Sequence, residues 1–462
     1  MIRLRPANRK HRALRLLPAI LLWAFIASPA SAEQAVASPS LSQSSFTLQQ
    51  LSSDFTYFKT VVNVINPLAY ADRAALKAIM DDQETKLRDG MGEFELYRLL
   101  APIVSAIQCG HSSINLPRGY DDFLREHGRY LPFLVRVIGA SLFVLDPLVV
   151  QDLPAGAEIT RINGRTSKEI LNLLLAGLSS DGGILSRKYF VLNGWFNDQY
   201  LMLVESPAQF TVEFIDPRDG AAHSITTDAA SKEALEDQSQ KAGRPYAGPA
   251  LPAYESSFAS PDTAVLTVRS FAIVTADWLQ DFRKFLGTFF NTLRDQGTRN
   301  LVLDLRGNWG GDPYASSTLY AYLIREPSPY FGEGTRYYPT LVQPMQPEAS
   351  AFRGALYVLT NGASFSSTGH LCSLLRFHQL ATFIGEETGG SFSCTDGSRD
   401  YELPETKLVF RSSTQEYHAA VTGFTPGRGI IPDYPVAPTL QDMLRGRDVQ
   451  MDFALHLIGG GV

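Results

Sequence analysis

The second half of the chain alternates short apolar segments with amphipathic ones. The sequence predicts strands at 264–268, 300–305, 355–360 and 381–385, and helices at 278–294 and 366–377. On the first of these helices one face carries Leu279, Phe282, Phe285, Phe289 and Leu293. Strands that alternate with helices form βαβ crossovers, which place the strands side by side in one direction. We therefore expect an α/β core built on a mainly parallel sheet.

The first 32 residues have the pattern of a secretory signal. Arg and Lys side chains between positions 3 and 15 precede an apolar stretch at 16–26, and Ala30-Ser31-Ala32 is a small-residue cleavage site. We expect a mature chain that begins at Glu33 and is exported to the periplasm or the extracellular space. An uncleaved anchor is the alternative, but the stretch is shorter than the ~20 apolar residues of a membrane span.

The charge and the cysteines restrict the partners. A formal net charge of -6 gives no general attraction to nucleic acid, so we expect none as a partner. The chain has 3 cysteines, Cys109, Cys372 and Cys394, and the odd number leaves at least one thiol unpaired within the chain. Cys372 and Cys394 could form a disulfide, a question that the sequence leaves open. Their spacing does not suggest a zinc site, and we expect no metal or cofactor.

Changes of pattern divide the chain after the signal. Residues 33–128 form a polar leader and helices, 129–230 a β-rich domain, 231–258 a polar linker, 259–445 the α/β core and 446–462 a C-terminal segment. The last helix of the first region is predicted to end at Cys109-Gly110, directly before His111. The predicted class is thus α/β, or α+β for the chain as a whole.

The β-rich domain contains a more specific segment at 153–174, LPAGAEITRINGRTSKEILNLL. It resembles the strand–turn–helix unit of PDZ-like domains. That resemblance implies capture of extended peptide ends by addition of a strand to a sheet edge. A plain β-rich insertion is the alternative, because Asn-Gly turns are common.

Two turns of the core combine glycines with polar side chains where a predicted strand leads into a helix. In such sheets ligands gather at the carboxyl ends of the strands. The turn at 304–312, DLRGNWGGD, has glycines that let backbone N–H groups approach a ligand. The segment at 358–370, VLTNGASFSSTGH, places serines at the start of a helix, where backbone donors and the helix dipole favour negative charge. A simple turn and an N-cap serine are the alternatives.

Taken in order, DLRGNWGG, LTNGASFSSTG and TFIGEETGG resemble the protease core of the tail-specific and C-terminal-processing serine peptidases. The subgroup that the chain most resembles holds the tricorn protease core and the interphotoreceptor retinoid-binding modules. The resemblance implies a ClpP/crotonase-like α/β core that acts on protein or peptide substrates. It implies Ser366 as the nucleophile, and backbone N–H donors for the oxyanion from Ser367 and from Gly311 or, as second choice, Gly310.

The same resemblance indicates the base. Many relatives use a lysine after the third motif, but Ser391 occupies that place here. Other relatives use a histidine that follows the N-terminal helices, and their motif matches CGHSS, which implies His111. A capping role for His111 is the alternative. His370, one helical turn beyond Ser366, is a competing base, although it would lie beneath the serine rather than beside the substrate.

The third member of the triad does not carry over. Pro426 occupies the place where an acidic residue is expected, and Cys109 replaces the acidic residue usual two places before the histidine. Asp433, Glu386 and Glu387 are the candidates for the acid. We therefore predict an exported serine peptidase, with a catalytically weak or inactive peptide- or apolar-ligand-binding protein on the same fold as the alternative. A third interpretation is a PDZ-type scaffold.

Overall fold

The computed structural model describes residues 44–244, 246 and 251–460. The predicted signal at 1–32 lies outside the described residues. The helices are α1 (Leu48–Val64), α2 (Arg73–Glu84), α3 (Glu93–Ala106), α4 (Tyr120–His127), α5 (Ser167–Gly177), α6 (Leu185–Leu203), α7 (Lys232–Lys241), α8 (Trp278–Gln296), α9 (Pro313–Ala321), α10 (Ser367–Phe377), α11 (Leu440–Arg445) and α12 (Val449–Ile458). None of these helices has both the length and the apolarity needed to cross a membrane.

The strands form several sheets. They are β1 (Ser113–Asn115), β2 (Leu134–Ile138), β3 (Ser141–Asp146), β4 (Glu158–Ile162), β5 (Arg165–Thr166), β6 (Gln209–Ile215), β7 (Ala222–Asp228), β8 (Tyr254–Ser260), β9 (Thr263–Val268), β10 (Asn300–Asp304), β11 (Ala355–Thr360), β12 (Thr382–Gly385), β13 (Ser393–Asp396), β14 (Arg399–Glu402), β15 (Val409–Ser412), β16 (Gln415–His418) and β17 (Tyr434–Pro435).

The core sheet has the order β17-β12-β11-β10-β9-β8. All neighbours pair in parallel except β8, which is antiparallel to β9. One face packs against the apolar sides of α8, α9 and α10, and the other packs against α12 through Ala454. A sheet that is covered on both faces needs strands that are apolar throughout, which explains the nearly unbroken apolar runs of β9, β10 and β11. The predicted α/β class and mainly parallel sheet are confirmed.

The N-terminal helices are joined to the core by a short strand. Helix α3 ends near Ile107, and β1 follows after a tight turn in which Gln108 has a φ of 56°. Strand β1 pairs antiparallel with β15, with Ile114 opposite Phe410. The Phe410 ring packs edge-on against Phe58 of α1, with the ring centroids 4.7 Å apart. This pairing fixes the segment that carries His111 onto the core.

The β-rich region forms an antiparallel sheet in the order β2-β3-β4-β6-β7, with β5 paired to β4. The predicted strand–turn–helix is present as β4, the Asn163-Gly164 turn, β5 and α5, whose N-cap Thr166 forms a capping box with Glu169. Helix α6 covers the edge strand β2. Its Asn193 side chain accepts from the Val137 N–H and donates to the Val137 carbonyl, so this edge is already hydrogen-bonded.

Two segments have more structure than their polarity suggests. The predicted linker at 231–258 contains α7, which is capped by Ser231 and buries Leu235, and also most of β8. The predicted C-terminal segment contains α12, which packs on the core sheet. The sequence does not predict α7 because the segment is charged and only one of its apolar side chains is fully buried. It does not predict β8 because that strand is held mainly by its backbone pairing with β9.

We expect Phe410→Ala to lower the free energy of unfolding by about 3–5 kcal/mol, because it leaves a cavity where β15, β1 and α1 meet. Phe258→Ala, a matched change at an exposed position of β8, should change the same quantity by less than about 0.5 kcal/mol. Urea unfolding followed by circular dichroism measures both. Equal losses in the two variants would contradict the packing described here.

Candidate active site

Ser366 lies at the point where β11 leads into α10. Its backbone has a φ of 55° and a ψ of -127°, a conformation that is costly for a residue with a side chain. The surrounding turn is tied to the first glycine-rich turn, because the Ser364 hydroxyl donates to the Leu305 carbonyl at 2.9 Å and the Phe365 N–H to the Asn308 carbonyl at 3.1 Å. The sharp turn presents the Ser366 hydroxyl at the carboxyl ends of the strands.

His111 reaches Ser366 from the N-terminal region. Its Nε2 lies 3.0 Å from the Ser366 Oγ, across 255 positions of sequence. The ring also stacks near Phe365, with centroids 4.5 Å apart, and the Ser398 hydroxyl donates to the His111 carbonyl at 3.3 Å. Gly110 is required beside it, because a Cβ there would lie 2.7 Å from the Phe365 ring.

The predicted oxyanion donors belong to the two turns that meet at Ser366. The Gly310 N–H donates to the Asn308 Oδ1 at 2.9 Å, so it is already engaged. No hydrogen bond of the Gly311 N–H to a described residue is found, and its φ of 138° is accessible only to glycine. Ser367 is the first residue of α10, where an N–H has no partner within the helix. The geometry thus favours Gly311 over Gly310 as the second donor.

The imidazole of His111 lies among acidic groups. Burial lowers its pKa, but the charges of Asp396 and Asp181 and the Cys109 thiol outweigh burial and raise the pKa to about 9. The Asp396 Oδ2 lies 3.7 Å from Nε2, the nitrogen that faces Ser366. These groups favour the imidazolium that forms when the histidine accepts a proton.

The carboxylates that the sequence offered as the acid are engaged elsewhere. Asp433 pairs with Arg376 at 2.6 Å and accepts from the Phe383 N–H at 2.7 Å. Glu387 pairs with Arg428 at 2.9 Å. Glu386 is mostly buried, which raises its pKa, and the charge that opposes this rise is that of Arg136. The structure instead places Asp396 and Asp181 near His111, and neither belongs to a motif that marks it in the sequence.

His370 is enclosed rather than presented to Ser366. Its ring packs near Phe331 and Tyr330, with centroids 5.3 and 6.5 Å away, and burial lowers its pKa to about 3. Neither ring nitrogen hydrogen-bonds to a described residue. It therefore stays neutral beneath the serine, and it does not contact the hydroxyl.

Helix α6 contributes a cation that the sequence did not indicate. The buried Arg187 guanidinium lies 3.7 Å from the centre of the Trp309 ring and 4.3 Å from that of Phe365. Phe190 and Trp195 of the same helix contact Trp309 edge-on. Helix α6 thus packs against Trp309 of the first glycine-rich turn. The stack of Arg187 on Trp309 and Phe365 joins residues that are distant in the sequence.

The cysteines and several acidic groups are of the types that can bind a metal ion. Cys109, Cys372 and Cys394 are all buried and free, so Cys372 and Cys394 are not bridged. Two groups of described residues bring three ligand atoms within 4.8 Å of one another: Cys109, His111 and Asp181, and the group Asp216, Asp219 and His223. In the second group Asp216 pairs with Arg218 and Asp219 with His223. In the first, His111 is engaged with Ser366.

Residues 262–436 match the model of peptidase family S41. Over this region the chain is similar to the S41 peptidases. The predicted resemblance to tail-specific and C-terminal-processing serine peptidases is therefore confirmed, and the family acts on protein or peptide substrates. Ser366 and both glycine-rich turns lie within the matched region, whereas His111 lies before it.

Solved structures share the fold over nearly the whole chain. The structure of mature CPAF complexed with lactacystin has a TM-score of 0.60 at 14% identity, and covers 89% of this chain and 98% of that chain. Mature CPAF alone has a TM-score of 0.59 at 13% identity, with 89% and 98% covered. At such low identity the likeness establishes the fold, including the helices that carry His111. Among curated proteins, no significant sequence match is found.

We expect activity to rise with pH as His111 loses its proton, with a midpoint near 9. Asp396, Cys109 and Asp181 face the ring, together with His370, which burial keeps neutral. Asp396→Asn should move the midpoint to lower pH, because it removes a charge that stabilises the imidazolium. The measurement is kcat/KM for casein hydrolysis from about pH 6 to about pH 10.

The control for this profile is Asp400→Asn, which removes a neighbouring carboxylate that pairs with Arg411. Its midpoint should equal that of the unaltered protein. An unchanged midpoint in Asp396→Asn would contradict the electrostatic role given to Asp396.

Gly310→Ala should lower kcat by about 100-fold or more, the size of effect expected when a reacting group is displaced by about 1 Å. A Cβ at this position would lie 2.7 Å from the Phe365 carbonyl oxygen and 2.7 Å from the Ser366 Cβ, and so would displace the serine from the glycine turn. Gly307→Ala is the matched control: its φ is also positive, but no atom lies within 4 Å of the added Cβ. A similar loss of kcat in both variants would mean that backbone strain alone causes it, and would contradict the displacement of Ser366.

Proposed function

We propose that the chain is an exported serine endopeptidase of the tail-specific type, with Ser366 as nucleophile and His111 as general base. The observation that carries the proposal is the 3.0 Å contact between Ser366 Oγ and His111 Nε2 at the end of two core strands. Such a contact within a strained turn is what an activated serine requires. The membership of residues 262–436 in a peptidase family supports the same function.

The first step follows from this geometry. The Ser366 hydroxyl transfers its proton to His111 Nε2 as Oγ attacks the carbonyl carbon of a peptide bond. The carbonyl oxygen becomes an oxyanion, which accepts hydrogen bonds from the N–H groups of Gly311 and Ser367. The carboxylates of Asp396 and Asp181 stabilise the imidazolium that results.

The second step reverses the proton transfer. His111 gives its proton to the leaving amine, and the acyl group stays on Ser366 as an ester. A water molecule then loses a proton to His111 and attacks the ester, and the carboxylic acid product leaves as Ser366 regains its proton. Every proton is carried by one imidazole nitrogen, so no cofactor is needed in this sequence.

Export and a PDZ-like role for residues 129–230 belong to the proposal. Export is supported by the predicted signal at 1–32. The sheet has two edge strands, β2 and β7. Asn193 already hydrogen-bonds the edge of β2. The proposed peptide binding therefore excludes the β2 edge and the side of the sheet that α6 covers.

The proposal is tested by labelling purified mature protein with a fluorophosphonate probe, read as fluorescence on a gel. We expect the unaltered protein to be labelled, because the probe reacts with activated serines. Ser366→Ala and His111→Ala should not be labelled, whereas His370→Ala, which removes a ring that does not contact the hydroxyl, should be.

Two results would contradict the assignment. Labelling that persists in Ser366→Ala would exclude this nucleophile, and loss of labelling in folded His370→Ala with labelling retained in His111→Ala would reverse the base. If the unaltered protein is not labelled but binds peptides or apolar ligands tightly, the chain is a binding protein on the same fold.

A further inference from the structure

Asp181 is a buried carboxylate in the loop between α5 and α6, and it lies against the segment that precedes His111. Its Oδ1 accepts from the Gly110 N–H at 2.8 Å, and the Gly182 N–H donates to the Gln108 carbonyl at 2.9 Å. The side chain is fully buried, and its second oxygen has no hydrogen-bond partner among the described residues. A buried charge of this kind is costly unless a cation or a donor compensates for it.

The carboxylate belongs to a cluster with Cys109 and the imidazole. One oxygen of Asp181, the Cys109 Sγ and one ring nitrogen of His111 lie within 4.8 Å of one another. The thiol is held from the other side, because the Thr395 hydroxyl donates to it at 2.8 Å and the Ser413 hydroxyl lies 3.0 Å away. Cys109 is thus held in place beside the His111 ring, and Asp181 lies close to both.

Two cations face Asp181. Burial raises the pKa of the Asp181 carboxyl. The charge of His111 opposes that rise most, and the charge of Arg187 acts in the same direction. Arg187 itself is buried between Trp309 and Phe365, and its Nη1 has no hydrogen-bond partner among the described residues. Asp181 therefore interacts electrostatically both with the proposed base and with the cation that stacks on Trp309 of the glycine-rich turn.

Asp396 has a different position. It lies 3.7 Å from Nε2, which is also the nitrogen that contacts Ser366, and its side chain is 26% exposed. A carboxylate on that side stabilises the imidazolium but cannot hold the opposite ring nitrogen in its protonated form. In a serine–histidine–acid triad, the acid acts on the nitrogen that faces away from the serine.

We propose that Asp181, acting with Cys109, is the positioning residue that replaces the missing acid of the triad. It fixes the ring orientation and tautomer of His111 from a loop between α5 and α6, not from the place in the core that Pro426 occupies. Cys109 stands two places before the histidine, and Asp181 supplies the negative charge there from a distant part of the chain. The inference rests on the proposed function.

The test is Asp181→Asn, which keeps an oxygen for the Gly110 N–H but removes the charge. The rate of fluorophosphonate labelling at Ser366 should fall by about 100-fold or more, as expected when a triad loses its acid. The midpoint of its pH dependence should move to lower pH, because the imidazolium loses a neighbouring charge. Asp54→Asn is the matched control: Asp54 is also fully buried, and it accepts N–H groups of Glu405 and Thr406.

The outcomes distinguish the positioning role of Asp181 from the proposed function. Labelled protein with the same rate and midpoint in Asp181→Asn would overturn the positioning role and leave the proposed function standing. A loss of rate in Asp54→Asn equal to that in Asp181→Asn, with neither midpoint moved, would also overturn it, since general destabilisation would explain both. Absence of labelling in the unaltered protein would overturn the proposed function and this inference together.

A rescue experiment covers the case in which Asp181→Asn does not fold. The double variant Asp181→Asn with Cys109→Asp keeps one buried carboxylate in the cluster and places it beside the ring. Labelling within about tenfold of the unaltered rate would support the proposal. Labelling of the folded double variant as slow as that of His111→Ala would overturn it.

Discussion

The contact between the Ser366 hydroxyl and the His111 imidazole restricts how the N-terminal region can pack on the core. The two residues come from different regions, so their 3.0 Å separation requires that the N-terminal helices dock onto the core with little freedom. Pairing of β1 with β15 supplies that docking beside the histidine, and the hydroxyls of Thr395, Ser398 and Ser413 hold the segment around it. The proposed active site is thus assembled at an interface between regions rather than within the matched residues 262–436 alone.

Two carboxylates, Asp396 and Asp181, raise the pKa of His111 from different positions. Asp396 lies on the serine side and is partly exposed, where it can respond to substrate and solvent. Asp181 is fully buried, which raises its pKa, and the charges of His111 and Arg187 oppose that rise. Because Arg187 also stacks on Trp309 of the glycine-rich turn, it links the proposed base and positioning residue to the turn that holds the proposed oxyanion donor. Helix α6, which supplies Arg187, also seals the β2 edge, and so links the β-rich sheet to this cluster.

The sequence predicted the elements whose signal is local. Apolar runs and amphipathic periodicity place β9, β10, β11 and α8 within a few residues, and the motif order indicated the family. The sequence did not predict elements that depend on pairing or charge balance between distant parts of the chain. Strand β8 and the strands from β13 to β16 have little apolar pattern, and α7 lies in a charged segment. Asp181 and Asp396 could not be found in this way, because their proximity to His111 arises only after distant loops meet. Asp433 and Glu386 were proposed from position in the chain, and the structure gives them other partners.

We propose Ser366, among three neighbouring serines, as the activated nucleophile. This assignment is tested most directly by peptide mapping of the fluorophosphonate adduct with tandem mass spectrometry, which resolves Ser364, Ser366 and Ser367. The structure predicts the adduct on Ser366, because its hydroxyl contacts the His111 imidazole, whereas Ser364 donates to the Leu305 carbonyl and the Ser367 hydroxyl is buried. An adduct on Ser364, on Ser367 or on a serine outside this turn would contradict the account.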